Sequence, residues 1–253
     1  MRELEGQVAL ISGASGGIGT AIARLFAEAG AKVVLLDINH QAIAELEQTL
    51  CAAGYEASAI AADIQQASSV QAAVERSLEL YKDLDIVVNA AGLLRAAPIT
   101  SLSEADWDAV INVNVRGTFL VCKYAVPALR QANNAAIVNL SSVSAFVGSD
   151  IGSAYHASKG AVLSLTYALA QELVPIRVNA ICPGWVDAGF THQALDQTDN
   201  PEALYAAARA NHLLGRMATP LEVAEAALFL ASPRASFITG TALNVDGGFM
   251  VKR

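Results

Sequence analysis

Residues 154–160 read AYHASKG, which puts Tyr155 and Lys159 four apart in a segment with helical periodicity. Side chains at i and i+4 of a helix face one another. A phenol beside an ammonium can act as an acid–base pair, because the positive charge favours the phenolate that takes up a proton. The same two residues can also be plain neighbours on a helix face, and the pattern alone does not choose. Ser142 stands thirteen positions upstream, at the end of an apolar run, and Asn114 lies in NVNVRGTF. Taken singly, Ser142 could cap a strand end and Asn114 could be a polar helix residue.

A second group of residues is suited to binding. SGASGGIG (12–19) follows one apolar run and opens an amphipathic segment, with Gly13, Gly17 and Gly19 spaced G-x-x-x-G-x-G. Small residues there let the backbone turn tightly and approach a pyrophosphate, while a helix N-terminus offers N–H donors and the positive end of its dipole. Ile18 would then point into the core. Asp37 ends the next apolar run, 18 residues after Gly19. A carboxylate at that distance can accept hydrogen bonds from ribose hydroxyls. It also repels a 2′-phosphate, and none of its neighbours Ser15, Ile38, Asn39 and His40 is cationic. The site therefore favours NAD(H) over NADP(H). The competing role for Asp37 is a helix cap or turn residue.

These residues need elements to position them. Strands are expected at 7–12, 32–37, 56–63, 84–92, 135–142, 176–184 and 241–248. Helices are expected at 17–30, 40–54, 68–81, 103–130, 154–173 and 221–231. Apolar runs of four to eight residues bounded by turn residues suit strands buried on both faces. Their alternation with helical segments predicts an α/β fold with a parallel, doubly wound sheet and right-handed crossovers. No linker, repeat or low-complexity tract interrupts it, so 1–253 reads as a single domain. Residues 188–219 break the rhythm after the sixth strand. Ligands bind beyond the carboxyl ends of such strands, so this helical insertion is placed to act as a lid.

Composition narrows the function. Apolar residues make up 54% and charged residues 16%, enough for a large core. A formal charge of −8 opposes nucleic-acid and anionic-membrane binding. Cys51, Cys122 and Cys182 are widely spaced, and His40, His156, His192 and His212 show no ligand spacing, so neither a disulfide framework nor a metal site is expected. The N-terminal segment lacks the basic region of a signal peptide, and no apolar run approaches the ~18 residues of a membrane span. A cytoplasmic protein is the expectation.

Taken in order, the Gly loop, Asp63, Asn89-Ala90-Ala91-Gly92, Asn114, Ser142, Tyr155-x-x-x-Lys159, Pro183-Gly184 and RMATPLEVAEAALFLAS (216–232) resemble the short-chain dehydrogenase/reductase family. The resemblance runs over nearly the whole chain. It implies a Rossmann-type seven-stranded sheet, a homotetramer, and hydride transfer between a nicotinamide cofactor and an alcohol or ketone. It further implies that Asp63, with Ile64 beside it, meets the adenine. Asn89 to Gly92 would lie along the adenosine ribose, and residues after Pro183-Gly184, including Val186, would hold the nicotinamide amide. Tyr155 is then the general acid–base. Lys159, together with the charge of the oxidised nicotinamide, lowers its pKa, and Lys159 also binds the nicotinamide ribose. Ser142 polarises the substrate oxygen, and Asn114 positions a water in a proton relay. A free tyrosine has a pKa near 10, so a base working near neutrality needs a shift of ~2–3 units, roughly 3–4 kcal/mol.

The sequence departs from the family at Ala188, where a Thr that contacts the nicotinamide amide is common; Thr191 or backbone near Val186 could replace it. Leu93, Leu94, Arg95, Ser144, Phe146, Trp185, Phe190 and His192 are expected to line a mostly apolar substrate pocket, suited to a medium-sized secondary alcohol or ketone, cyclic ones included. The competing reading is a 3-oxoacyl-[acyl-carrier-protein] reductase. Those enzymes favour NADPH and dock an acidic carrier, whereas QANNAA (131–136) has no basic residue. A non-catalytic NAD(H)-binding regulatory subunit is a third reading, since fold alone does not fix function.

Overall fold

The β-branched runs of the sequence become strands β1 (Val8–Ser12), β2 (Lys32–Asp37), β3 (Ala57–Ala61), β4 (Ile86–Asn89), β5 (Ala136–Leu140), β6 (Arg177–Pro183) and β7 (Ala242–Val245). The structure is a computed structural model that describes residues 2–149, 152–192 and 200–252. All seven strands pair in parallel in the order β3-β2-β1-β4-β5-β6-β7. The order reverses between β1 and β4, which makes the crevice at their carboxyl ends the topological switch point. Ser12 stands opposite Asn89 there, and Asn89 opposite Asn139. This is the Rossmann-type doubly wound sheet that the sequence predicts.

The helices are α1 (Gly17–Glu28), α2 (His40–Ala52), α3 (Ala67–Tyr81), α4 (Glu104–Ile111), α5 (Thr118–Leu129), α6 (Ser153–Glu172), α7 (Pro201–Ala210) and α8 (Pro220–Ala231). Alternate strand residues feed two separate cores. Ala9 and Ile11 pack with Ile22 and Phe26 of α1, Ile43 of α2 and Val223 of α8. Val8 and Leu10 pack with Val70 of α3, Val121 of α5 and Leu169 of α6. Each large side chain removed from water contributes roughly 1.5–3 kcal/mol. Both faces of the sheet are thus covered, as parallel strands require.

Three boundaries differ from the sequence reading. The expected helix 103–130 is two helices joined by a π-helical segment, Asn112–Gly117. A side chain at Gly117 would overlap Ile64, its Cβ falling 2.5 Å from Ile64 Cδ1, so the wider turn brings the helix backbone against that loop. Strand β3 stops at Ala61 because Asp63 turns the chain, its Oδ1 accepting from Gln65 N at 2.9 Å. Of the expected lid, residues 193–199 lie outside the described residues. Its described parts are a helical turn at 190–192, helix α7, and an isolated parallel bridge between Val186 and Ala218. Among the described residues no helix is long and apolar enough to cross a membrane.

Candidate active site

The glycine loop turns at the end of β1 and touches the loop after β4. Gly13 has φ +71°, and a Cβ there would fall 2.5 Å from the Ala91 backbone. At Gly17 a Cβ would fall 2.6 Å from the Ala188 Cβ, so the start of α1 lies directly against the segment after β6. The N-cap, Gly16, makes no side-chain bond, and the first turn of α1 holds no acidic residue. Its leading N–H groups are therefore left for an anion, with the positive dipole end beside them. Ile18 packs on the core, as expected.

Asp37 presents its carboxylate beside this loop. Oδ2 accepts from Ser15 N and Oδ1 from Asn39 N, both at 3.0 Å. The capping role falls to Asn39 instead, whose side chain accepts from Ala42 N at the start of α2. Ile38 is 71% exposed, an apolar surface turned to solvent. Asp63, Ile64 and Gln65 form the neighbouring loop, and Arg116 of the π segment donates to Gln65 O. Asn89 is buried and donates to Asn139 Oδ1 at 2.8 Å, so its side chain braces the sheet while Ala90 to Gly92 continue into the crevice.

Ser142, Tyr155 and Lys159 meet at the carboxyl end of β5. The Ser142 side chain lies beside the Tyr155 phenol and favours its ionised form. Ser142 Oγ also accepts from Ser144 N at 3.1 Å, which fixes its rotamer. Lys159 is buried, and its Nζ lies 5.5 Å from the Tyr155 ring centroid while donating to Leu140 O at 2.7 Å. One of the three ammonium protons is thus held by the strand end and the others stay free to serve a ligand.

Asn114 is buried, and its side chain is fully engaged. Oδ1 accepts from Leu93 N at 2.7 Å, and Nδ2 donates to Leu93 O at 3.0 Å and Ser158 Oγ at 2.9 Å. It therefore clamps the end of the Asn89–Gly92 loop to α6. Any water held by this residue would be held through its main chain, which the π turn widens.

The electrostatics add a cost that residue types do not show. Burial pushes the Tyr155 phenol up to about 12, and the neighbouring Ser142 hydroxyl only partly offsets this. Burial also pushes Lys159 down to about 8. Desolvation penalises the charged form of both groups, so the lysine by itself does not bring the tyrosine toward neutrality. A further positive charge over the phenol is needed for that.

The expected pocket residues fall into separate places. Ser144 and Phe146 line an open cavity of about 670 Å³ together with Pro98, Ile99, Val147 and His156. Leu94, Trp185, Phe190 and His192 are not in its wall. Phe190 stands edge-on to Tyr155, with ring centroids 6.0 Å apart, and its ring edge also faces Gly92. His192 is exposed and pairs with Asp187 at 3.0 Å. Thr191 is buried, and its hydroxyl donates to Val186 O at 2.6 Å, which leaves only its acceptor lone pairs for another partner. His156 turns away from the tyrosine, with Nδ1 on Gly152 O at 2.9 Å and Nε2 by Ser149 Oγ at 3.2 Å. Ser158 shapes the catalytic end in a way that spacing did not announce. Only the position of Ser158, one residue before Lys159, hinted at it. Among the described residues no three His, Cys, Asp or Glu side chains gather to hold a metal ion.

Comparison with known proteins agrees with this geometry. The family model described as Enoyl-(Acyl carrier protein) reductase matches residues 13–250. Oxidoreductase UcpA of Salmonella typhimurium is 42% identical over 253 residues, covering 98% of this chain and 96% of that protein. Cyclopentanol dehydrogenase of a Comamonas species is 38% identical over 255 residues, covering 98% and 99%. The 3-oxoacyl-[acyl-carrier-protein] reductase FabG of Thermotoga maritima is 37% identical over 250 residues, also covering 98% and 99%.

Proposed function

The chain belongs to the short-chain dehydrogenase/reductase family of oxidoreductases, and from that premise we propose that it transfers hydride between NAD(H) and a medium-sized secondary alcohol or ketone, cyclic ones included. The observation that carries this reading is the contact of Tyr155 with Ser142 above a buried Lys159, at the carboxyl end of the sheet's switch point. A bound nicotinamide supplies the hydride acceptor and, when oxidised, the further positive charge that the tyrosine requires. In alcohol oxidation Tyr155 takes the hydroxyl proton, and in ketone reduction it returns one. Ser142 holds the substrate oxygen and stabilises charge as it develops there. Lys159 supports the tyrosinate and holds ribose hydroxyls, and Asn114 fixes the loop and helix between which a relay water is held.

The residues fit the cofactor end to end. The uncapped start of α1 suits the pyrophosphate, and Asp37, held by two backbone donors, suits ribose hydroxyls and repels a 2′-phosphate. Ile38, Asp63 and Ile64 border the adenine. In the bridge between Val186 and Ala218 the paired groups are Trp185 O and Asp187 N. Val186 N–H therefore points to the opposite side, toward a nicotinamide amide, and the backbone does what threonine does elsewhere in the family. Apolar Phe119, Tyr167 and Phe237 are exposed, in keeping with a homotetramer.

The carrier-protein reading has the FabG relative in its favour. Against it stand Asp37 and the absence of basic residues in QANNAA (131–136). A panel of cyclic and linear alcohols, ketones and a 3-oxoacyl thioester, run with NAD and NADP in parallel, separates the readings. Turnover of cyclic alcohols with NAD is expected, and Tyr155→Phe should bind NADH while turnover falls by roughly 10³-fold or more. Preference for the thioester with NADPH would return the carrier-protein reading. Cofactor binding without turnover of any substrate would return a regulatory one.

A further inference from the structure

His212 belongs to none of the motifs above, yet it is 3% exposed and joins three segments around the cofactor crevice. It follows α7, and its ring lies against the turn after β6 and the turn after β7. Nδ1 is 2.8 Å from Ala208 O, and Nε2 is 3.1 Å from Trp185 N. A backbone N–H can only donate, so Nε2 carries the lone pair and Nδ1 carries the proton. One neutral tautomer thus satisfies two backbone groups. The fit is close: a Cβ on Gly184 would fall 2.5 Å from Nε2, and one on Gly247 3.4 Å from the His212 Cβ. The Phe249 ring closes the far side, with centroids 5.8 Å apart. Trp185 is held from the other direction too, because its carbonyl accepts from Ala218 N at 2.9 Å.

We propose that His212 is a positioning residue for the nicotinamide end of the cofactor. By accepting from Trp185 N and filling the space over Gly184, it fixes the Gly184-Trp185-Val186 backbone and so aims the Val186 N–H. The inference rests on the reading of that turn as the nicotinamide contact. His212 touches neither substrate nor cofactor, and acts through the peptide it holds.

The test compares NADH with ADP-ribose, which lacks the nicotinamide, by calorimetric titration of the full chain. His212→Asn keeps a short amide able to reach Ala208 O but leaves Trp185 N–H without its acceptor. His212→Gln places an oxygen near the Nε2 position. The asparagine variant should bind NADH about tenfold more weakly, as expected for a buried donor left unpaired, with ADP-ribose within twofold of wild type. The glutamine variant should recover most of the loss. Wild-type NADH affinity in both variants, or equal loss of both ligands, overturns the proposal. If the asparagine variant does not fold, amide exchange in the wild-type protein decides. By linkage NADH must slow deuterium exchange at Trp185 N–H well beyond what ADP-ribose does, and equal protection by the two overturns the proposal. A wild-type protein that binds neither ligand would instead sink the cofactor reading itself.

Discussion

Replacing Lys159 with methionine keeps the stem and removes the charge. Its Nζ lies 5.5 Å from the Tyr155 ring centroid. At an effective dielectric near 20, a unit charge at that separation is worth about 3 kcal/mol, or roughly 2 pKa units on the phenol. Oxidation needs the tyrosinate, so below the tyrosine's apparent pKa the rate follows its population. The variant should turn over alcohol about 100-fold more slowly than wild type at pH 7. The deficit should shrink above pH 8, because there wild-type Lys159 begins to lose its own proton. The assay is kcat at saturating NAD and alcohol from pH 6 to 10.5, followed by NADH absorbance. Saturation removes any loss of ribose binding, and the nicotinamide charge acts alike in both proteins, so the ratio isolates the lysine. A ratio under about fivefold at pH 7, or one that does not narrow with pH, would refute the reasoning.

The same substitution should stabilise the protein. Lys159 has a folded pKa of about 8 against 10.5 for the free side chain, so between those values the unfolded chain binds more protons. Stability therefore rises from pH 8 to 10.5, and below pH 8 the native state carries a penalty of roughly 3 kcal/mol. Lys159→Met lifts that penalty and loses one hydrogen bond to Leu140 O, about 1 kcal/mol. Calorimetry at pH 7 should show Tm higher by roughly 4–8 °C, with no gain at pH 10.5; a lower Tm at pH 7 would count against a buried charged lysine. Asp37→Ala should weaken NAD binding by about 10–100-fold, through loss of charged hydrogen bonds to the ribose, while NADP binds no worse or better. An unchanged NAD to NADP ratio would remove Asp37 from specificity.

The strands were legible because strands buried on both faces leave continuous apolar runs, and their carboxyl ends then had to hold Asp37, Asn89 and Ser142. The i,i+4 rule likewise sufficed to bring Lys159 under Tyr155. The break in the long helix was not legible. NVNVRG carries no proline, and Gly117 of the widened turn fits against Ile64, a contact across 53 positions of sequence. The directions of the pocket side chains were not legible either, for a related reason. Loop residues have no period to fix their direction, so His192 turned to Asp187 and Phe190 to the tyrosine. The desolvation of Tyr155 was not legible, because a sequence shows the neighbouring charge and hides the burial.

Apolar packing alone would not set the depth of α6 closely enough for proton transfer, since small residues slide against a sheet at little cost. Directional bonds set it here. Ser158 Oγ accepts from Asn114 Nδ2, the Lys159 carbonyl accepts from Ser141 Oγ at 2.9 Å, and Thr166 Oγ1 accepts from Asn139 Nδ2 at 2.9 Å. Asn139 in turn accepts from Asn89, so the chain of bonds runs across β5 and β4 at the switch point. Each buried bond adds only about 1 kcal/mol, but each would leave an unpaired polar group if the helix shifted, at 1–3 kcal/mol apiece. A displacement of α6 by one ångström would strain all three at once. The helix that carries Tyr155 and Lys159 is therefore indexed to the strands that carry Ser142 and the cofactor loop, which is the rigidity that a charge-tuned tyrosine requires.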